Sequence, residues 1–169
     1  MKSNLQWTKE GNKHLLKNDG STQIELTIQT GGKSICIING IQYIISSKGF
    51  WQPVYQIQKE GVEILKLTHS FWGSNGTIQF ENGSTYSLKY TTGSNFKLIF
   101  RDAENDIITF GTARANNKLA MTYNIGISMV DADKILLLSA LGMVIFYSMC
   151  REFMSDDDTN SLNLLLFTA

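Results

Sequence analysis

Apolar and polar residues alternate with a period of two along most of the chain. From residue 23 to residue 123, short stretches of β-branched and aromatic residues, such as Ile24, Leu26 and Ile28, are separated by polar pairs typical of turns. The turn pairs in this part of the chain and just before it are Asp19-Gly20, Gly31-Gly32, Asn39-Gly40, Glu60-Gly61, Asn75-Gly76 and Asn82-Gly83. This pattern predicts short strands joined by hairpins, as in a β-sandwich or a β-barrel.

The predicted strands contain an internal repeat. Tyr43 and Ile64 in one copy correspond to Tyr86 and Ile107 in the next, each pair 43 residues apart. Two copies are too few for a solenoid, which needs three or more. A duplicated meander that closes into one barrel fits better, because closure removes exposed strand edges. We therefore predict a closed antiparallel β-barrel.

The pattern changes at residue 131. Residues 135–150 form an uncharged run of 16 residues, with Asp131 and Asp133 before it and Arg151 after it. Acidic residues before the run and a basic residue after it favour a helix, through capping and the helix dipole. A helix without a polar face must be buried all round. A membrane span needs about 20 apolar residues, so we favour a helix enclosed by the barrel, with a short membrane span as the alternative.

These elements predict one domain. The barrel is expected over residues 23–169, with its hydrophobic helix at about 132–152 and a last strand at 162–167, after an N-terminal segment at 1–22. A chain of 169 residues with 43% apolar residues is long enough to bury a single core. Because the N-terminus lacks the apolar stretch of a signal peptide, we expect a cytoplasmic protein.

The charge balance and the few candidate catalytic residues exclude several classes of function. The 15 basic and 15 acidic residues balance, which gives no reason to expect a nucleic-acid partner. His14 and His69 have no serine, cysteine or carboxylate at a recognisable catalytic spacing, so we expect no enzyme and no cofactor. Cys36 and Cys150 lie in apolar runs and are expected to be buried thiols.

The region before and within the helix resembles a known family. Residues 123–134, from Tyr123-Asn124 to Asp133-Lys134, and the helix that runs to Arg151 resemble the C-terminal part of phospholipid scramblases. The strand pattern before them is similar to the wider superfamily of tubby C-terminal-like domains, which includes the LURP-one-related proteins. The resemblance implies a barrel of about twelve strands around one hydrophobic helix at 134–151, and association with lipid.

The chain departs from this family at its binding residues. Scramblases carry acidic residues upstream of Asn124 in a proposed calcium-binding segment, where this chain has Met121 and Tyr123. Asp131 and Asp133 are the remaining candidates for calcium, a poor set for an ion that takes six or more oxygens. Phosphoinositide binding of the tubby type needs a basic cluster. The candidates for lipid contact are Lys97, Arg101, Arg114, Trp51 and Trp72.

Two functions remain open, and a membrane-inserted form is a third possibility. The first is a non-enzymatic, scramblase-like barrel that associates with phospholipid or a membrane surface. The alternative is a soluble cytoplasmic module that binds or scaffolds another protein. In the third, the helix at 135–150 inserts into the membrane. For the pairs Phe50-Trp51 and Phe71-Trp72, core plugs at the barrel ends are favoured over seats at a membrane interface.

Overall fold

Twelve antiparallel strands form one sheet in which each strand pairs with the next one along the chain. The computed structural model describes residues 4–29, 31–49, 52–70, 75–91, 96–103, 105–115, 118–126 and 130–153. The strands are β1 (Leu5–Glu10), β2 (Lys13–Asn18), β3 (Ser21–Ile28), β4 (Lys33–Ile38), β5 (Ile41–Lys48), β6 (Val54–Lys59), β7 (Val62–His69), β8 (Asn75–Phe80), β9 (Thr85–Thr91), β10 (Lys97–Asp102), β11 (Asn105–Ala115) and β12 (Lys118–Ile125), followed by α1 (Ala132–Phe153). The sheet curls into a nearly closed barrel, with the rings of Trp7 on β1 and Tyr123 on β12 in edge contact at 6.2 Å. The predicted barrel with a C-terminal helix is confirmed.

Helix α1 packs against the inner face of the barrel. It contacts β3 and β4 on one side and β10 and β11 on the other, and residues 136–146 are buried without interruption. Ser139 is the one hydroxyl in that buried run. It donates to the carbonyl of Ile135 at 2.7 Å and lies 2.7 Å from the Tyr123 hydroxyl. Ala132–Arg151 is long and apolar enough to cross a membrane, but 67% of an 18-residue window within it is buried inside the protein, as in a core helix.

The barrel is built from three units of four strands: β1–β4, β5–β8 and β9–β12. The same register shift occurs in the second hairpin of each unit, after Leu16, Ile57 and Phe100. Each of these three hairpins also turns through a residue with positive φ: Asp19 at 48°, Glu60 at 50° and Ala103 at 50°. The predicted repeat corresponds to the second and third units, and the first unit completes the set.

Strand structure begins earlier than the pattern indicates. The first strand is predicted at residue 23, whereas residues 5–18 form β1 and β2 of the same sheet. The polar residues 9–13 obscure the alternation there, because they form the hairpin between these strands. His14, the next residue along the chain, is only 3% exposed.

One predicted turn is wrong. Asn75 and Gly76 begin β8 instead of forming a turn, and Gly76 pairs with His69 on β7. A Cβ at Gly76 would lie 2.8 Å from Cδ1 of Leu67 and 3.2 Å from the carbonyl oxygen of Thr68, so glycine allows close strand packing that a larger residue would disturb. The other five turn pairs lie between strands. The strand predicted at 162–167 and the pairs Phe50-Trp51 and Phe71-Trp72 lie outside the described residues.

Candidate functional site

Charge is unequally divided between the two ends of the barrel. In a meander, connections that follow odd-numbered strands lie at one end and those that follow even-numbered strands lie at the other. Helix α1 follows β12, so it begins at the second end and finishes at the first. We define each rim as the connections at that end, the two terminal residues of each strand and the adjacent terminal turn of α1.

The rim at the end of the helix is basic, and the opposite rim is acidic. Among the side chains that the structure describes, the basic rim carries Lys9, Lys13, Lys33, Lys48, Lys97, Arg114 and Arg151 against a single acid, Glu10. The acidic rim carries Asp19, Glu60, Glu63, Glu81, Asp102, Asp106, Asp131 and Asp133 against Lys17, Lys59, Arg101 and Lys134. The zero net charge of the sequence therefore conceals a strong separation of charge along the barrel axis.

Ion pairs leave much of the basic rim uncompensated. Lys13 pairs with Glu25 on the barrel wall, Nζ to Oε1 at 2.5 Å. Glu10 is paired with Lys17 of the neighbouring strand at 2.6 Å, so these two side chains meet on the wall between the rims and neither adds a free charge to its own rim. Lys33, Lys48 and Lys97 are exposed and form no ion pair within the described part of the chain. The charges of these three lysines therefore face solvent, and the side chain of Arg114 on the same rim is exposed as well.

The structure separates the basic residues predicted as lipid contacts. Lys97 begins β10 and Arg114 lies near the end of β11, so both belong to the basic rim. Arg101 lies at the acidic rim, where its Nε contacts Oδ1 of Asp106 at 2.9 Å. It does not share a surface with the other two. Trp51 and Trp72 lie outside the described residues.

The basic rim also includes lysines that the sequence did not single out, notably Lys33 and Lys48. They are far apart from the other candidates in sequence and form no motif. They can be identified because both lie next to connections that follow odd-numbered strands, and every second connection of a meander lies at the same end of the barrel. That identification requires the full set of strands, including β1 and β2.

A hydrogen-bonded histidine links three elements at the basic rim. The Nδ1 atom of His69 lies 2.8 Å from the carbonyl oxygen of Pro53, and Nε2 lies 2.5 Å from the hydroxyl of Tyr90. A carbonyl only accepts, so Nδ1–H donates to Pro53 and Nε2 accepts the Tyr90 proton. Burial lowers the pKa of His69 and raises that of Tyr90, which keeps both groups neutral. This arrangement ties β7 to β9 and to the residue before β6, a structural role.

The second histidine lies in the barrel interior. The ring of His14 lies 5.4 Å from that of Tyr147 near the end of the helix. The register shifts align His14 with Tyr55 and Leu98 in the other two units. Burial, assisted by the charge of Lys9, lowers the pKa of His14 from its usual 6.5 to about 4.

We expect His14 to make the protein sensitive to acid. The pKa of His14 is about 4 in the folded protein and 6.5 in the unfolded chain. Its contribution to the free energy of unfolding is therefore complete above pH 6.5 and is lost as the pH falls towards 4. From about pH 7 to about pH 5, the free energy of unfolding should fall by about 2 kcal/mol through this group. Urea unfolding across this range measures the loss. The His14→Leu variant carries leucine, the residue that the third unit has at the aligned position, Leu98. In this variant, the free energy of unfolding should keep only the smaller pH dependence that comes from other groups such as His69. An unchanged slope would contradict the assignment.

Asp131, just before the helix, acts as its N-cap, and Asp133 lies in the first turn. An Oδ1 of Asp131 accepts the backbone N–H of Asp133 at 3.2 Å, and the Asp131 carbonyl accepts that of Ile135 at 3.0 Å. Both side chains are exposed. Within the described ranges, no group of three histidine, cysteine or acidic side chains is arranged to hold a metal ion. Of the two calcium candidates, the structure thus places Asp131 at the helix N-cap and Asp133 in the first turn of the helix.

Both cysteine side chains are buried, away from solvent. Cys36 on β4 and Cys150 near the end of α1 are 0% and 2% exposed, as predicted, and neither forms a disulfide. Burial raises the pKa of each thiol to about 12. Since the thiolate is the reactive form, neither residue is an effective nucleophile at neutral pH.

The feature that calls for a functional explanation is the charge of the rims. The chain matches no protein-family model, no curated protein and no solved structure. The inference of function therefore depends on the chemistry of the basic rim, where Lys33, Lys48 and Lys97 are exposed and form no ion pair with the described residues.

Proposed function

We propose that this protein is a non-enzymatic barrel domain that binds the surface of an anionic phospholipid membrane through its basic rim. The observation that carries the proposal is the separation of charge between the rims. A lysine or arginine held near an anionic bilayer contributes about 1 kcal/mol. Several such residues on one rim attract the bilayer even though the whole chain is neutral.

The acidic rim supports the same proposal by fixing the orientation. The eight carboxylates that the structure describes at that end are repelled by a negative membrane, while the basic rim is attracted. The domain is therefore expected to bind as a peripheral protein, with the start of α1 facing the cytoplasm. Anionic lipids are concentrated in the cytoplasmic leaflet, which agrees with the predicted cytoplasmic location.

The resemblance to phospholipid scramblases and other tubby C-terminal-like domains points in the same direction. The resemblance implies a barrel around one helix and association with lipid, and a barrel with a packed helix is the architecture of this chain. Membership of that superfamily is part of the proposal. The lipid-facing residues are argued from this chain alone.

Binding to vesicles tests the proposal. We expect the protein to co-sediment with phosphatidylcholine vesicles that contain about 30 mol% phosphatidylserine, and to dissociate as salt rises from about 0.1 M to about 0.5 M. Replacing Lys33 and Lys48 by glutamine should weaken binding about 30-fold, because two lysines contribute about 2 kcal/mol. The double variant Lys59→Gln/Lys66→Gln makes the same charge change away from the basic rim and should bind as the wild type does.

Two other outcomes point to the other functions. A protein that ignores anionic vesicles at low salt and elutes as a soluble species favours the protein-binding module. The exposed Ile41 and Ile44 on β5 are then the first surface to mutate. A protein that stays in the membrane fraction after carbonate washing favours insertion of the helix. Either result rejects peripheral electrostatic binding.

A further inference from the structure

The exposed basic residues of the rim are spread around its circumference. Lys33 lies on β4 and Lys97 on β10, six strands apart in an order of twelve. Lys48 on β5 and Arg114 on β11 are also six strands apart. Strands that are half of the order apart lie on opposite walls of a barrel. The helix agrees with this placement, because it lies between β3 and β4 on one side and β10 and β11 on the other.

The opposite walls are too far apart for one small ligand. Strands spaced about 4.8 Å apart and tilted by about 40° give a twelve-stranded barrel a diameter of about 20 to 25 Å. Lys33 and Lys97 are therefore separated by about the full width of the rim. A single phosphorylated headgroup contacts one of these walls and leaves the other unoccupied.

The basic side chains also diverge. On β4 the buried residues are Ser34, Cys36 and Ile38, so Lys33 points outward. On β10, Leu98 and Phe100 are buried and Lys97 points outward in the same way. A site for a polyphosphorylated headgroup brings arginines or backbone N–H groups together on one anion. Here the charges point outward from separate strands.

On the basis of the proposed function, we propose that the barrel binds the membrane end-on and responds to the average charge of the bilayer. With its axis along the membrane normal, Lys33, Lys48, Lys97 and Arg114 all approach the lipid surface together. The ligand class is then any bilayer rich in monovalent anionic phospholipid. No single headgroup is selected, because each basic residue meets a different lipid.

Single substitutions on opposite walls test the orientation. Lys33→Gln and Lys97→Gln should each weaken binding to phosphatidylserine vesicles about fivefold, and the double variant about 25-fold, because distant sites add. Lys59→Gln at the acidic rim is the matched control and should have no effect. A large loss for one variant with none for the other would show side-on binding or a local site, and would overturn the inference.

Headgroup competition tests the ligand class. Vesicles with phosphatidylinositol bisphosphate and vesicles with phosphatidylserine, matched for total charge, should bind the protein within about twofold of each other. Soluble inositol trisphosphate at an ionic strength held constant should not displace the protein. A clear preference for the bisphosphate, with displacement by the soluble headgroup, overturns the inference but leaves membrane binding intact. Failure of the wild type to bind any anionic vesicle rejects the proposed function itself, as does tighter binding to an RNA oligonucleotide than to vesicles.

Discussion

Replacing Phe110 by alanine is expected to lower the free energy of unfolding by about 4 kcal/mol. Phe110 is 0% exposed, and its ring lies 5.0 Å from that of Tyr123 and 5.8 Å from that of Phe146. It therefore joins β11 to both β12 and the helix, and truncation leaves a cavity between all three. Because the helix is rigid and enclosed, its neighbours have little freedom to fill that space. Urea unfolding, followed by tryptophan fluorescence to which the buried Trp7 contributes, measures the loss.

The controls separate a cavity from a general effect of mutation. Phe110→Leu keeps most of the volume and should lose about 1.5 kcal/mol, so it remains measurable if the alanine variant fails to fold. Val62→Ala, at a side chain that is 59% exposed, should change stability by less than about 0.5 kcal/mol. A Phe110→Ala protein as stable as the Val62→Ala protein would show that the helix does not pack against β11 as described.

The helix was the most predictable element because one physical constraint defines it. An uncharged run from residue 135 to residue 150 has no face that tolerates water, and Asp131 and Arg151 mark its ends. The predicted bounds of 132–152 differ from Ala132–Phe153 by one residue. That the barrel encloses the helix was also expected, since 16 apolar residues are few for a membrane span.

The strands were less predictable where packing or surface charge overrides the local pattern. Asn75-Gly76 has the composition of a turn, yet Gly76 lies within β8, where Leu67 and the backbone of Thr68 approach it closely. The first hairpin was hidden by charged residues, Lys9 and Lys13 among them, that belong to the basic rim. In this hairpin, the exposed charged residues interrupt the alternation of apolar and polar residues from which a strand is predicted.

The candidate site was only partly predictable because it exists between strand ends and not within any motif. Lys97 and Arg114 were identified as basic residues, but nothing local distinguishes them from Arg101, which lies at the opposite end. A lysine at the first or last position of a strand gains meaning only when the direction of every strand is known. The balanced net charge masked the effect further, since it averages over two rims of opposite sign.

Replacing Gly142 by alanine should decide whether the helix is enclosed, because the two environments predict opposite signs. A Cβ at Gly142 would lie 2.8 Å from Cε2 of Phe100 and 2.9 Å from Cζ of Phe110, closer than carbon atoms pack. If the helix lies inside the barrel, we therefore expect Gly142→Ala to lower the free energy of unfolding by about 3 kcal/mol, near the upper end of the range for overpacked cores. In a helix that faces lipid or water, the same change gains about 1 kcal/mol, because alanine has the higher helix propensity.

A double-mutant cycle links the Gly142 effect to its cause. Replacing the opposing ring with the smaller side chain of Phe110→Leu makes room for the new methyl group. The double variant Gly142→Ala/Phe110→Leu should therefore lose less stability than the two single variants lose together, by about 1 kcal/mol or more. Ser148→Ala is the control on the same helix, and its loss of a 2.9 Å hydrogen bond to the Val144 carbonyl should change stability by only about 0.5 kcal/mol. A stabilised Gly142→Ala protein without coupling to Phe110 would place the helix outside the barrel. The basic rim would then have to be reconsidered as the flank of an inserted helix.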